Sequence, residues 1–137
     1  MDLPARVRHF LTEKPRFAAV ATTNADNSPH LSLVWYDIDA EDRVRINSRP
    51  PRRWWANILR TGRVTLAIAD ADDQYRWVGL SGVVEEVVTG EPAREQMVAF
   101  EHYYHPDDPN PEEIAEYRSQ DRHMFVIRVT AIHDHLE

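Results

Sequence analysis

The sequence predicts a mainly β protein in which an antiparallel barrel is flanked by short helices. Several segments alternate apolar and polar residues, as half-buried strands do. Tight turns connect these segments, and the regular alternation of strand and helix that a parallel sheet requires is not seen. Six strands and about four short helices therefore indicate a closed or partly closed antiparallel barrel with helices at its margins.

The first half of the chain is predicted to form a helix followed by an antiparallel meander. Asp2 is placed to cap the helix, Pro4 lies in its first turn, and Val7, Phe10 and Leu11 form its buried stripe. The predicted strands of the meander are residues 17–22, 29–36 and 43–48.

The second half adds three strands and two helices. Strands are predicted over residues 64–69, 75–88 and 124–132, and helices over residues 91–104 and 112–118. Gly79 and Gly82 lie inside the long middle strand, where glycine indicates a bend, a bulge or close approach of another backbone. The first of the two helices has an inward stripe consisting of Ala93, Met97, Phe100 and Tyr104.

The segment Arg43–Arg63 is a cationic island in an acidic protein. It holds seven arginines and no acidic residue, in a chain whose formal net charge is −7. Pro50 and Pro51 suit the first positions of a helix that Gly62 ends, and Ser48 is placed to help cap it. A strand that leads into a helix N-terminus presents free N–H groups and the positive end of a dipole. The segment therefore predicts a phosphate or carboxylate site.

Two other interpretations of this segment stay open. An arginine-rich helix can be an ordinary solvated surface, or it can bind single-stranded nucleic acid through phosphate contacts and stacking. The pI of about 5.5 argues against nucleic acid, as does the spacing of the tryptophans, which places them on a core-facing stripe. That stripe comprises Trp54, Trp55, Ile58 and Leu59, whereas Arg53, Asn57 and Arg60 share the opposite face.

Length and composition exclude several classes of protein. We expect one domain over residues 1–137, long enough for a sizeable core. No apolar run approaches the ~18 residues of a membrane span, the N-terminus is too polar for a secretory signal, and cysteine is absent. We therefore expect a soluble cytoplasmic protein with no membrane partner.

The sequence assigns no catalytic side chain and predicts no metal site. The GLSG run at Gly79 lacks the spacing of a nucleophile elbow, and neither a G-x-G-x-x-G nor a Walker A motif occurs. Glu101, His102 and His105 fit a helix C-terminus better than a metal centre. An enzyme without its own catalytic groups takes its chemistry from a cofactor, whose phosphate the arginine segment would hold.

Three runs of residues resemble the pyridoxamine 5'-phosphate oxidase-like, FMN-binding split β-barrel family. The runs are ATTNADNSPHLSLVWYDIDAEDRVRINS, NILRTGRVTLAIAD and YRWVGLSGVVEEV. Within the family, the sequence is most similar to the flavin/deazaflavin oxidoreductases of the B subgroup, over about residues 5–132. The most specific motifs are S-P-H-x-S-x-V-W at Ser28, N-[IL]-x-x-x-x-R-V at Asn57 and Y-R-W-V at Tyr75.

The resemblance implies a six- to seven-stranded antiparallel split β-barrel that forms a homodimer with two cofactor sites at the interface. In such proteins the end of the third strand and the start of the next helix hold the cofactor phosphate, the second strand lies against the ring system, and the partner chain closes the site. The resemblance implies that the phosphate positions are Asn47, Ser48, Arg49, Arg52, Arg53 and Asn57. The ring positions are His30, Leu31, Ser32 and Leu33. The residues that each chain contributes to the site of its partner are Tyr75, Arg76 and Trp77.

The resemblance also implies a cofactor and a reaction. Family members commonly carry a lysine where this chain has Trp54, so we expect Arg52 and Arg53 to take over the anion contact. The number of arginines favours coenzyme F420, a deazaflavin with a long anionic tail, over FMN. The expected activity is hydride transfer from reduced F420 to an activated double bond of a small molecule. The alternatives are an FMN-dependent, pyridoxamine 5'-phosphate oxidase-like oxidoreductase and a non-catalytic binder of flavin, deazaflavin or haem.

Overall fold

The computed structural model describes residues 1–136, which form seven strands and four helices. The helices are α1 (Ala5–Thr12), α2 (Arg53–Thr61), α3 (Glu91–Tyr104) and α4 (Pro111–Ser119). The strands are β1 (Ala18–Thr23), β2 (Pro29–Val34), β3 (Asp37–Ile38), β4 (Val44–Ser48), β5 (Arg63–Ala69), β6 (Trp77–Thr89) and β7 (His123–His135). Over residues 1–136, every helix is too short or too polar to cross a bilayer.

All seven strands belong to one sheet, in the order β2-β1-β5-β6-β7-β4-β3. Every neighbouring pair is antiparallel. The prediction of a mainly β, antiparallel fold with flanking helices is therefore confirmed. The short strand β3 was not predicted, because two residues are too few to show an alternating pattern; it is defined by its pairing with Arg45 and Val44 of β4.

One face of the sheet, the inner face, carries the core. Along β5 the alternate residues Val64, Leu66 and Ile68 are buried, whereas the residues between them are exposed. Phe125 and Ile127 of β7 lie in the same buried cluster. Helices α1 and α2 complete this cluster with Val7, Phe10, Leu11, Trp54 and Ile58.

The opposite face of the sheet, the outer face, carries a row of mostly small or apolar residues. The strand pairings align Leu33, Ala19, Ala67, Gly79 and His133 in a single row across five strands. At the β2 edge, Leu31 and Leu33 are 71% and 77% exposed. An antiparallel sheet that faces water normally carries polar residues on that face, so this composition is unusual for a free surface.

Helix α1 begins two residues later than a cap at Asp2 predicts. Its first residue is Ala5, Pro4 occupies the N-cap position, and the helix has no side-chain cap. Asp2 therefore does not cap it; the preceding segment is instead held by Asp42, whose carboxylate accepts a hydrogen bond of 2.9 Å from the Leu3 N–H. The predicted buried stripe of α1 is confirmed.

Helix α2 also differs from its prediction. It begins at Arg53, because residues 49–52 form a turn closed by a 3.1 Å hydrogen bond from Arg52 N–H to the Arg49 carbonyl, and Ser48 does not cap it. The predicted end at Gly62, whose φ of 66° is left-handed, is confirmed. The buried stripe is rotated by about one position, since Asn57 is 3% exposed and Leu59 is 47% exposed.

Gly82 lies at a point of close approach between β6 and β7. The pairing register shifts between Ser81 and Gly82, as expected for a bulge. A Cβ atom at position 82 would collide with the Ile127 side chain and lie 2.7 Å from the Arg128 carbonyl oxygen. Of the three alternatives that the sequence offered for this glycine, the structure shows both a bulge and close approach of another backbone.

Gly82→Ala is expected to lower the free energy of unfolding by about 1–3 kcal/mol, because the buried methyl group forces the two strands apart. Urea denaturation of the purified protein measures this change. Arg63→Ala, an exposed substitution on the neighbouring strand β5, is the control and should change stability by less than about 0.5 kcal/mol. An equally small effect for Gly82→Ala would show that the close approach carries no constraint.

Candidate functional site

A cavity of about 280 Å³ opens where β2 ends, between the start of α2 and the middle of α3. Most of its wall is apolar, and guanidinium groups supply its charge. A cavity with this composition suits a ligand that has a flat apolar part and an anionic group. It is lined by Phe17, Leu33, Val34, Trp35, Asn47, Arg52, Trp54, Met97, Phe100 and Arg122.

Aromatic contacts hold the apolar wall of this cavity in place. The Trp35 ring stacks on Tyr104 with a centroid distance of 4.9 Å and meets Phe100 edge-on at 6.2 Å. The Tyr104 hydroxyl in turn donates a 2.6 Å hydrogen bond to the Arg16 carbonyl, and burial raises its pKa. Because each ring is fixed by another, the wall is a preformed surface against which a planar ligand can lie.

Trp54 occupies the position at which the family resemblance leads one to expect a lysine. It lies in the first turn of α2, is almost fully buried, and packs at a tilt against Phe125 with a centroid distance of 6.4 Å. Trp54 therefore adds apolar surface to the cavity and no charge. Any cation at this end of the cavity must come from arginines.

Three arginines lie close together at the polar end of the cavity. Arg52 and Arg122 both line it, and the nearby charges of Arg52 and Arg49 disfavour the protonated form of Arg122. Burial of the guanidinium lowers the pKa of Arg122 most, and burial and the two neighbouring charges together lower that pKa to about 10. Within residues 1–136, none of the three guanidinium groups has a carboxylate within 4 Å.

The end of β4 leaves two buried oxygen atoms without a partner among residues 1–136. The Asn47 side-chain amide donates to the Ala93 carbonyl at 2.8 Å and to Gln96 Oε1 at 2.9 Å, but its own Oδ1 accepts no hydrogen bond. Ser48 is fully buried and its Oγ is also unpaired. Buried polar atoms are nearly always paired. Of these two, only Asn47 lines the cavity, where its Oδ1 can accept a hydrogen bond from a ligand N–H or O–H.

Arg53 and Asn57 face a different hollow, on the other side of the α2 N-terminus. This hollow has a volume of about 370 Å³ and lies against the turn between β1 and β2. Asn57 anchors the turn, because its Nδ2 donates to Thr22 Oγ1 at 3.1 Å and to Asn24 Oδ1 at 2.9 Å. The hollow is lined by Asn24, Ala25, Asp26, Arg53, Asn57 and Arg60.

The six predicted phosphate residues are thus divided. The structure brings Asn47 and Arg52 to the cavity and leaves Arg53 and Asn57 at the separate hollow. Arg49 is near enough to the cavity for its charge to act on Arg122. Ser48 lies directly after Asn47 at the end of β4 but does not line the cavity itself. The start of α2 separates the two groups.

The four predicted ring residues occupy both faces of β2. His30 and Ser32 share the inner side, where Ser32 Oγ lies 3.3 Å from His30 Nε2. Leu31 and Leu33 point to the outer face, and of the four only Leu33 lines the cavity. Within one chain, these residues therefore do not converge on a single ligand position.

The Tyr75 segment lies apart from the cavity of its own chain. Tyr75 is exposed, and the Trp77 ring stacks on His133 with a centroid distance of 4.6 Å. Arg76 is turned inward, with its guanidinium 3.5 Å from the Asp70 carboxylate and above the Phe10 ring. Tyr75 therefore lies at the surface, Trp77 is half-buried, and Arg76 is held within its own chain.

Sequence reasoning missed Arg122 altogether. The residue stands between α4 and β7, with no neighbouring motif, and reaches the cavity because Ser48 of β4 pairs with His123 of β7. That pairing joins segments far apart in the chain, and no local pattern reports it. Trp35 belongs to the predicted S-P-H-x-S-x-V-W motif, but its role as a cavity wall was also not predicted.

One of the two histidines near the end of α3, His105, contacts a buried glutamate. His105 Nδ1 lies 2.8 Å from the Glu101 carboxylate, which is buried and also accepts a 3.2 Å hydrogen bond from the Asn110 N–H. Among the residues that the structure describes, no three His, Asp or Glu side chains are gathered closely enough to hold a metal ion. Glu101 thus fixes the connection between α3 and α4.

Comparison with known proteins points to one family and one architecture. A curated relative from Mycobacterium tuberculosis (strain CDC 1551 / Oshkosh), F420H(2)-dependent biliverdin reductase, is 27% identical over 106 residues, which cover 77% of this chain and 74% of the relative. Among solved structures, one named F420 reductase has a TM-score of 0.72 at 25% identity, covering 91% of this chain and 94% of that one. The haem storage protein HutZ from Vibrio cholerae has a TM-score of 0.66 at 15% identity, covering 98% of this chain and 95% of that one, and shares the fold.

These likenesses confirm the predicted split β-barrel architecture. The family model described as pyridoxamine 5'-phosphate oxidase matches residues 3–136, nearly the whole chain. The chain therefore belongs to the pyridoxamine 5'-phosphate oxidase family.

Proposed function

We propose that this protein is a coenzyme F420-dependent oxidoreductase that reduces an activated double bond of a small molecule. The observation that carries this proposal is the cavity in which a rigid aromatic wall meets unpaired guanidinium groups. The wall suits a planar ring system, and the guanidinium groups suit an anionic side chain. Two relatives whose names contain F420, the biliverdin reductase and the F420 reductase, support the choice of coenzyme.

The residues present fit such a coenzyme at two places. Arg52, which lines the cavity, and Arg49 close to it would hold the phosphate near the start of α2, which has neither a side-chain cap nor an acidic residue in its first turn. Arg53 would hold a more distant part of the anionic tail at the hollow that Asn57 helps to shape. For the ring system, the proposed positions are His30, Leu31, Ser32 and Leu33, with Tyr75, Arg76 and Trp77 contributed by a second chain.

The chemistry divides between coenzyme and protein. When bound, reduced F420 supplies a hydride that an electron-poor double bond accepts. The protein orients the acceptor between its aromatic walls and excludes water from them. A guanidinium or backbone N–H donates a hydrogen bond to the acceptor oxygen on which negative charge develops, and so lowers the barrier. We assign no side chain as the source of the proton.

We also propose that two chains assemble through their outer faces into a homodimer. The exposed Leu31 and Leu33 are the most apolar part of that face, and Phe17, also exposed, lies at the mouth of the cavity together with Leu33. A second chain placed there buries these residues and closes the cavity. The dimer and a cytoplasmic location are both part of the proposal.

An FMN-dependent oxidoreductase is the second candidate, and family membership favours it. The number of arginines argues against FMN, because FMN carries a single phosphate group and would need only one of the two groups of arginines. Arg49, Arg52 and Arg122 gather at one end of the cavity, while Arg53 and Arg60 line the separate hollow. A longer anionic tail uses both groups of arginines.

A labelling experiment tests the proposed reaction. Reduced coenzyme F420 carrying two deuterium atoms on its reduced ring carbon is mixed under anaerobic conditions with the protein and an acceptor, beginning with biliverdin. We expect oxidation of the coenzyme and one deuterium on a carbon of the reduced acceptor, detected by mass spectrometry. Reduced FMN in place of F420 is the control. A product without deuterium, or turnover with FMN only, would contradict the proposal.

A further inference from the structure

Arg122 is a buried cation without a counter-ion in the part of the chain that the structure describes. It is 3% exposed, and its Nε atom has no hydrogen-bond partner. The guanidinium lies over the Tyr117 ring, whose centroid is 5.4 Å from the guanidinium carbon. A cation–π contact is worth far less than the desolvation of a full charge, so this contact alone does not account for the burial.

The surroundings of Arg122 make its burial more costly. Arg52 and Arg49 add positive charge nearby, and together with desolvation they lower the Arg122 pKa to about 10. The uncapped start of α2 adds the positive end of a helix dipole. Such an arrangement is unfavourable unless an anion neutralises it.

We infer that Arg122 and Arg52, with the uncapped N-terminus of α2, form an oxyanion site at the polar end of the aromatic cavity. The site takes a carboxylate or phosphate whose attached planar group lies against Trp35, Trp54 and Phe100. Arg122 can donate in the plane of its guanidinium, which matches the geometry of either oxyanion. The oxyanion belongs either to the coenzyme or to the acceptor molecule.

The oxyanion site can be tested on the protein without coenzyme. The melting temperature is measured with increasing inorganic phosphate, and with chloride at matched ionic strength, for wild type and Arg122→Met. We expect phosphate to raise the wild-type melting temperature beyond the effect of chloride, because an anion that binds only the folded state stabilises it. Arg122→Met should lose at least half of this rise, and without phosphate it should melt no lower than wild type, since a buried unpaired charge is gone.

Arg118→Met is the matched control. It removes the same charge from the end of α4, but Arg118 is exposed and already paired with Glu95 at 3.1 Å. Its response to phosphate should equal that of wild type. Arg122→Lys keeps the charge and should restore part of the response that Arg122→Met loses. If Arg122→Met responds to phosphate as wild type does, the inference is overturned and Arg122 has a structural role only.

A second pair of measurements shows whether the coenzyme or the acceptor carries the oxyanion. This step rests on the proposed function. If the coenzyme supplies it, the F420 dissociation constant of Arg122→Met rises about tenfold or more. If the acceptor supplies it, that constant is unchanged, and the KM for a carboxylate-bearing acceptor such as biliverdin rises instead. Failure of wild type to bind F420 would refute the proposed function, whereas the phosphate result would stand.

Discussion

Leu33→Asp is expected to dissociate the proposed homodimer. Leu33 stands at the end of the row that crosses the outer face, and its side chain is almost wholly exposed in the single chain. In a dimer it would be buried, so a carboxylate at this position would lose its hydration without gaining a partner. We expect the dissociation free energy to fall by about 3 kcal/mol, a factor of roughly 150 in the dissociation constant.

Sedimentation velocity measures this effect directly. Wild type should sediment with twice the 16.0 kDa mass of the chain, and Leu33→Asp with the chain mass alone at micromolar concentration. Val87→Asp is the control, because Val87 is also an exposed apolar strand residue but lies near the far end of β6. A monomeric wild type, or a Leu33→Asp variant that remains a dimer, would refute the assignment of the outer face as the interface.

Arg52→Ala is expected to weaken coenzyme binding much more than it changes turnover at saturation. Arg52 lines the cavity at the start of α2 and is unpaired among residues 1–136, so it is free to hold a ligand anion. Loss of a charge-assisted hydrogen bond should raise the F420 dissociation constant about 10- to 100-fold. The kcat with saturating coenzyme should change less than about threefold, because the reacting carbon is remote from the phosphate.

Equilibrium titration and steady-state kinetics separate these quantities. Arg53→Ala should act in the same direction as Arg52→Ala, since Arg53 faces the neighbouring hollow. Arg6→Ala is the control, because Arg6 is exposed and pairs with Asp134 at 2.6 Å. A loss of kcat with unchanged coenzyme affinity would contradict the anchoring role of Arg52.

Most of the fold could be predicted because its signals are local. The alternation along β5 and the spacing of Val7, Phe10 and Leu11 on α1 each report burial within a few residues of sequence. The predicted start of α2 was wrong because residues 49–52 form a turn that a backbone hydrogen bond closes. The prolines in the sequence do not reveal that bond. Asn57 was predicted to lie on the solvent face of α2. Its partners, Thr22 and Asn24, belong to the β1–β2 hairpin, which is distant in sequence, so no local pattern indicates its burial.

The candidate site was predicted less completely, because it depends on contacts between distant segments. The run Asn47–Arg53 identified the end of β4 and the start of α2, where charge is concentrated in the sequence. Arg122 and Phe100 join the site through the β4–β7 pairing and through the packing of α3. Neither has a distinctive neighbourhood in the sequence, so only the fold shows that they face the same cavity.

Titration of the purified protein with oxidised coenzyme F420 and with FMN, followed by the fluorescence of each ligand, tests the central claim most directly. We predict saturable binding of F420 at micromolar or lower concentration, and binding of FMN that is at least about tenfold weaker because FMN cannot use both groups of arginines. Tighter binding of FMN would make this a flavin enzyme and contradict the assignment. Binding of neither ligand would show that the arginines serve a different anion.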